Sequence, residues 1–353
     1  MKLASMGACI LSAALIGCTG GGSAVSAPEG GASAARGPVL PALSADDRSL
    51  LRDEALAYLQ KMAADPYAGY RANAIEALQA DPASGEAAAR QGILDQNLGV
   101  RFVSAMAIGQ HAYTGAAPLA HALLNDPDES VRAAAILALK RNGFEANLGP
   151  LADMLRSSSI RTRANAALVL GELGDTSAIP MLQEALGFPN PRATLAELHL
   201  VELQMAEAMV KLGADDALDR IRTQLYSRDP ARGEVVVLAV NILGRLKDQQ
   251  SKGEFVKLVA MWKKYRNSAE VRLAALTALS QLGDPPTPDM ILEYLDPASA
   301  SQYPVGVRVQ AVNALGAIGT PEALAHVASI FRTSREEFVR LQAAAWVLRL
   351  AGP

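Results

Sequence analysis

One segment of fifteen residues, Glu270 to Asp284 (EVRLAALTALSQLGD), restricts what this chain can fold into more than any other. An acid opens it, where a helix N-terminus favours negative charge. Val and Arg follow, then Ala and Leu at three- and four-residue spacing, then Gly-Asp, which stops a helix in a left-handed turn. The apolar face of such a short helix is too wide to leave in water and too small to fold alone. Related copies along the chain can bury it by stacking on one another.

Aligned on the Arg, the copies fall at Arg71, Arg101, Arg132, Arg163, Glu202, Val236, Arg272, Arg308 and Arg340, with successive gaps of 30 to 39 residues. That is the period of a repeated helix pair. The closing glycine recurs as Gly143, Gly174, Gly213, Gly283 and Gly319. Between copies lie apolar segments that read as partner helices, including Leu148 to Leu155, Ile179 to Leu186, Phe255 to Trp262 and Ala323 to Phe331. Composition agrees: half the residues are hydrophobic but only 5% are aromatic, so Ala, Leu and Val must fill thin, closely packed layers. The pattern loosens at Glu202 and Val236, and the segment Pro191 to Leu212 reads as a longer helix where the stack changes curvature.

This pattern, V-R-x-x-A-x-x-A-L-x-x-x-G-D, resembles the HEAT repeat, and more narrowly the short bacterial form called the phycobilisome-lyase-like HEAT repeat. It is carried by Val131, Arg132, Ala135, Ala138, Leu139 and Gly143, and again by Val271, Arg272, Ala275, Ala278, Leu279, Gly283 and Asp284. The resemblance implies an all-α chain, a right-handed α-α solenoid or superhelix of about nine HEAT-like helix pairs over residues 44–353. In the family an Asp six residues before the Arg takes part in a ladder between repeats. Asp65, Asp95 and Asp126 hold that place here, whereas Ser157, Arg266, Gln302 and Ser334 replace it later. The series Arg71, Arg101, Arg132, Arg163, Arg272, Arg308 and Arg340 is therefore expected to be an internal structural ladder, not a row that binds polyanions.

Residues 1–17 have the layout of an export signal: Lys2, roughly a dozen small and apolar residues, then Leu15-Ile16-Gly17-Cys18. That tetrapeptide resembles a bacterial lipobox, in which the Cys18 thiol receives a diacylglycerol. Thr19 after the cysteine leans towards the outer membrane, facing the periplasm. Residues 18–43 are rich in Gly, Ser, Ala and Pro and read as a flexible tether. Ser44 is suited to cap the first helix, with Asp46 and Asp47 behind it.

Little in the chain points to chemistry. His111, His121, His199 and His326 are scattered over different repeats, and none stands in a metal-binding spacing. His199 with Glu197, Glu202 and Glu207 is the nearest approach to a ligand set, and a solvated helix face explains it better. No cofactor is indicated. The net charge of −3 argues against nucleic acid as a partner. Residues 211–272 nevertheless hold 13 Lys and Arg against 8 Asp and Glu, so Lys257, Lys263, Lys264 and Arg266 are a candidate charged contact. The leading expectation is a lipid-anchored, non-enzymatic scaffold of the bacterial cell envelope that binds a protein or peptide along its concave face. Glu76, Lys140, Arg141, Glu172, Asn241, Gln281 and Asn313 would supply contacts there. The alternatives are a lyase-like or chromophore-binding HEAT protein related to the phycobilin lyases, and a structural envelope spacer.

Overall fold

The computed structural model describes residues 42–227, 233–261, 268–296 and 302–352. The signal segment, Cys18 and nearly all of the tether lie outside the described residues. Among those described, eighteen α-helices form nine pairs, each an outer helix followed by an inner one. In chain order they are α1 (Ala45–Met62) with α2 (Ala68–Leu78), α3 (Pro82–Gly92) with α4 (Leu98–His111), α5 (Ala120–Leu123) with α6 (Glu129–Arg141), and α7 (Gly149–Leu155) with α8 (Ile160–Leu173). Then come α9 (Ile179–Leu186) with α10 (Leu195–Lys211), α11 (Ala217–Gln224) with α12 (Gly233–Arg245), and α13 (Lys252–Ala260) with α14 (Ala269–Gln281). The last two pairs are α15 (Asp289–Leu292) with α16 (Val305–Ile318), and α17 (Pro321–Thr333) with α18 (Glu337–Leu350).

Local signals set these boundaries. The Ser44 side chain accepts the backbone N–H of Asp47 and starts α1. The five closing glycines all sit at positive φ, from 72° at Gly319 to 96° at Gly213, where a side chain would be strained. Ala112 and Lys247 hold the same left-handed turn without being glycine, at φ 51° and 55°. The long central helix starts later than its apolar pattern suggests. Thr194 and Glu197 form a reciprocal capping box, which fixes the start at Leu195 and leaves Pro191 in the loop.

Each inner helix packs on the inner helix of the next pair, and the series does not end at α18. α18 packs on both α1 and α2, so the solenoid closes into a ring. Tyr58 on α1 donates its hydroxyl hydrogen bond to Glu337 at 2.6 Å, and Arg332 pairs with Glu54 at 3.0 Å. Phe338 packs edge-on against Tyr67 and Tyr70, with ring centroids 6.1 and 4.9 Å away. Phe331 meets Tyr58 in the same manner at 5.5 Å. Leu51, Ala55 and Leu59 of the first helix thus share one core with Leu341 and Leu348 of the last.

Small side chains let the inner helices approach closely. A Cβ on Gly109 would stand 2.6 Å from Leu137, and one on Gly171 3.0 Å from the backbone of Ala208. Gly244 faces Ala278 and Gly316 faces Trp346 in the same way, each eight residues after the aligned position of its repeat. The central turns of α4, α6, α10 and α14 are consequently buried on every side.

Candidate interaction surface

Because the pairs are alternating hairpins, the ring has two rims. One carries the turns from outer to inner helix, here the entry rim. The other carries the turns from inner to outer helix, the exit rim. Side-chain bonds trace the entry rim from turn to turn, from Arg71 to Asp95, Arg101 to Asp126, Arg161 to Asp128 and Asn190 to Ser158. Ten large hydrophobic side chains are exposed among the described residues, and eight stand on this rim: Tyr67, Leu94, Leu98, Phe188, Leu195, Tyr226, Met261 and Val305. The exit rim carries none of the ten, and its exposed residues include Asp175, Asp215, Asp216 and Glu322.

The arginine series lies just under the entry rim, and its partners belong to the following repeat. Arg71 grips Asp95 through Nε and Nη2, both at 2.7 Å, while its Nη1 donates to the carbonyls of Asp65 and Pro66 at 2.8 Å. Arg101 repeats this on Asp126 at 2.7 and 3.0 Å, and donates to the carbonyls of Asp95 and Gln96. Asp95 and Asp126 thus each lend a backbone oxygen to the arginine six residues on and give their carboxylates to the preceding repeat. Burial tends to raise the Asp95 pKa, but the hydrogen bonds from Arg71 and the Asn97 N–H, with the charges of Arg71 and Arg101, hold it below its ordinary value.

Where the aspartate is missing the ladder changes. Ser157 offers Arg132 no carboxylate, and Arg132 keeps the Asp126 carbonyl at 2.8 Å and turns to Glu129 at 3.4 Å. Arg163 has no ion-pair partner among the described residues. Its guanidinium is 3% exposed and donates to the carbonyls of Ala185 (2.8 Å) and Phe188 (3.3 Å), while its Nε meets no acceptor. Burial lowers its pKa, and Glu202 opposes that. Arg272 pairs with Glu293 and the Tyr294 hydroxyl, and Arg308 with Glu336. Arg340, in the last pair, lies 4.5 Å over the Tyr58 ring and donates to the Phe331 carbonyl. The first helix therefore supplies the partner that a tenth repeat would have supplied.

The concave positions expected to bind a partner are largely engaged between neighbouring inner helices. Glu172 accepts from Lys211 at 2.9 Å, Gln281 lies against Gly244, and Asn313 accepts from both Gln342 and Trp346. Glu76 is 8% exposed. The glycines that let these helices approach bring the polar side chains of Glu172 and Asn313 within reach of the next inner helix. Glu207, weighed above beside His199, is held by Arg245 at 2.9 and 3.0 Å and by Lys211 at 3.4 Å. Burial opposes ionisation of Glu207, but the charges of Arg245 and Lys211 outweigh it and keep the carboxylate pKa low. The Glu207–Arg245 pair has no sequence signature, because its partners stand 38 residues apart. Among the charged-contact residues, Lys257 is exposed and pairs with Glu254 at 3.1 Å, whereas Lys263, Lys264 and Arg266 lie outside the described residues.

No curated protein matches the sequence. Among solved structures, the chain is similar to the complex of CpcE and CpcF of phycocyanin lyase from Nostoc sp. PCC7120. The two share 17% identity over 84% of this chain and 98% of that one, with a TM-score of 0.40. That match corrects the expectation of a non-enzymatic protein, since the complex it names is a lyase. The family model for HEAT repeats matches residues 86–159, 148–239 and 266–349. With turns, ladder and helix pairing as described, the chain belongs to the HEAT-repeat family.

Proposed function

We propose that this protein is a HEAT scaffold of the bacterial cell envelope, held by lipid at Cys18, that engages a protein partner through its entry rim. The observation that carries the reading is the gathering of exposed apolar side chains on one rim. Leucine and tyrosine anchors with few free charges around them suit the centre of a protein interface. In the first two turns Tyr67, Leu94 and Leu98 are exposed, while the nearby charges of Arg71, Arg101, Asp95 and Asp126 are committed to the ladder.

The tether supports the same orientation. α1 is an outer helix, so its start at Ala45 lies on the exit rim, and the end of α18 lies there too. A Gly- and Ser-rich linker of the length of residues 18–43 has a root-mean-square span of about 30 Å. A lipid at Cys18 would bring the exit rim towards the bilayer and leave the entry rim facing away.

Site-specific photocrosslinking in the native cell tests the reading. A photoreactive residue at Leu94 or Leu195 should trap a discrete protein, and one at Asp175 or Asp215 should not. Equal trapping from both rims would remove the rim assignment. For the anchor, Cys18→Ala should release the protein into the soluble fraction. Continued membrane partitioning of that variant would refute the lipid attachment.

A further inference from the structure

Along the first six entry-rim turns, the exposed apolar side chains read alike in both directions. Tyr67 stands in the first turn, Leu94 and Leu98 in the second, Phe188 and Leu195 in the fifth, and Tyr226 in the sixth. The third and fourth turns between them expose Asn125, Pro127, Arg156 and Ser158, and no large apolar side chain. When two rings meet entry rim to entry rim about a two-fold axis lying between them, the turns of one run opposite to those of the other. An axis passing between the third and fourth turns sets the second turn of each copy against the fifth of its mate, and the first against the sixth. Leucines then meet phenylalanine and leucine, and tyrosine meets tyrosine.

Charge does not oppose this match. Arg192 and Glu197 are exposed at the fifth turn, and they come opposite Gln91, Gln96 and Asn97 of the second, which are exposed and uncharged. Arg71 and Arg101 are paired with Asp95 and Asp126 beneath the rim, and Arg156 is held by Glu184 at 2.8 Å. Height favours the match as well. In every other inner helix the aligned position comes three residues after the helix start, but in α10 Glu202 comes seven after Leu195. The extra residues lift Leu195 by about 6 Å, so it makes the first contact and leaves room for water over the polar third and fourth turns.

The six apolar side chains are between 37% exposed, at Leu98, and 70%, at Leu94. For residues of this size that amounts to about 700 Å² per copy, against roughly 800 Å² for one side of a standard interface. A peptide or a single helix would cover an arc of the rim. These anchors extend over six turns of nine, so a partner that uses them all is as broad as the ring itself.

Resting on the scaffold reading, we infer that the partner of the entry rim is a second copy of this chain, docked face to face with Leu94 and Leu98 of each ring against Phe188 and Leu195 of the other. Such an isologous contact closes at two copies. It turns both exit rims outward. A linker of the length of residues 18–43 reaches at most about 90 Å, enough to bring both lipids to one bilayer past two rings of about 30 Å each.

The test uses the Cys18→Ala chain, which removes the lipid and leaves the ring untouched. Sedimentation equilibrium should give a mass that rises with concentration from one chain to two. Leu94→Glu and Leu195→Lys should each weaken the association about tenfold. The double variant places opposite charges across both contacts and should recover most of that loss. Val256→Glu, exposed on α13 away from the rim, should change nothing. All these side chains are exposed, so the variants should fold, and circular dichroism checks that they do. A one-chain mass at every concentration, indifference to both single variants, or a double variant no better than the singles would each overturn the inference. Crosslinks in the cell that join Leu94 only to other proteins would overturn it too while leaving the scaffold reading intact. No crosslink from either Leu94 or Leu195 would remove the scaffold reading itself.

Discussion

The first three turns of the entry rim and the two that follow are built on one plan and differ by single side chains. In the first sector Arg71 and Arg101 each hold a bidentate aspartate of the next repeat, and the charges cancel inside the protein. In the second, serine and asparagine take the aspartate positions, and Arg163 keeps its charge among carbonyl oxygens. Within one repeat family, a residue of fixed spacing is thus half of an ion pair where its partner is present and a buried cation held by backbone carbonyls where it is absent.

The largest effect should come from making the first sector resemble the second. Asp126→Ala would leave the part-buried Arg101 without its carboxylate, which is 4% exposed in the pair. The expected loss is about 3 kcal/mol, seen as a lower urea midpoint at unchanged slope. A loss below about 1 kcal/mol would mean that the ladder contributes little to stability.

Acid should separate the sectors next. The Asp95 pKa lies below its unfolded value, so the contribution of this pair is full above about pH 4 and disappears as pH falls through the folded-state value. Unfolding measured from pH 5 downward should show a steeper acid limb for the native chain than for Asp95→Asn. Parallel limbs would contradict the assignment of that pair.

A smaller gain is expected from repairing the second sector. Ser157→Asp restores a carboxylate at the place opposite Arg132, with an expected stabilisation of about 1 kcal/mol. A double-mutant cycle with Arg132→Met should show that the gain depends on the arginine. A gain that survives the loss of Arg132 would assign it to another cause. The least effect belongs to Leu94→Ser, which should change stability by less than about 0.5 kcal/mol because Leu94 is 70% exposed.

Much of the helical layout could be read in the chain because it is written in local, periodic signals. The arginine spacing, the closing glycines and the Ser44 cap each act within a turn of helix. What could not be read depends on contacts between distant residues. Tyr58 and Glu337 are 279 positions apart, and nothing near either marks them as neighbours. Of the polar positions assigned to a concave binding face, Glu172 and Asn313 bond to the neighbouring inner helix, across pairings 29 to 39 residues apart that no local pattern marks. The apolar rim went unread for the same reason: Tyr67, Leu94 and Phe188 each look like an isolated residue until the turns lie side by side.

Closure also changes what it means for the array to have boundaries. An open stack of repeats has two terminal surfaces that must be made polar, or they will recruit further copies end to end. In this chain those surfaces meet each other at an effective concentration that no second molecule can match, which disfavours growth into a filament. Fraying is opposed for the same reason: a terminal repeat of an open array detaches by losing one neighbour, whereas every pair here must lose two. The seam between α18 and the first pair is the one junction without a covalent link, and its strength should govern how cooperatively the whole ring unfolds.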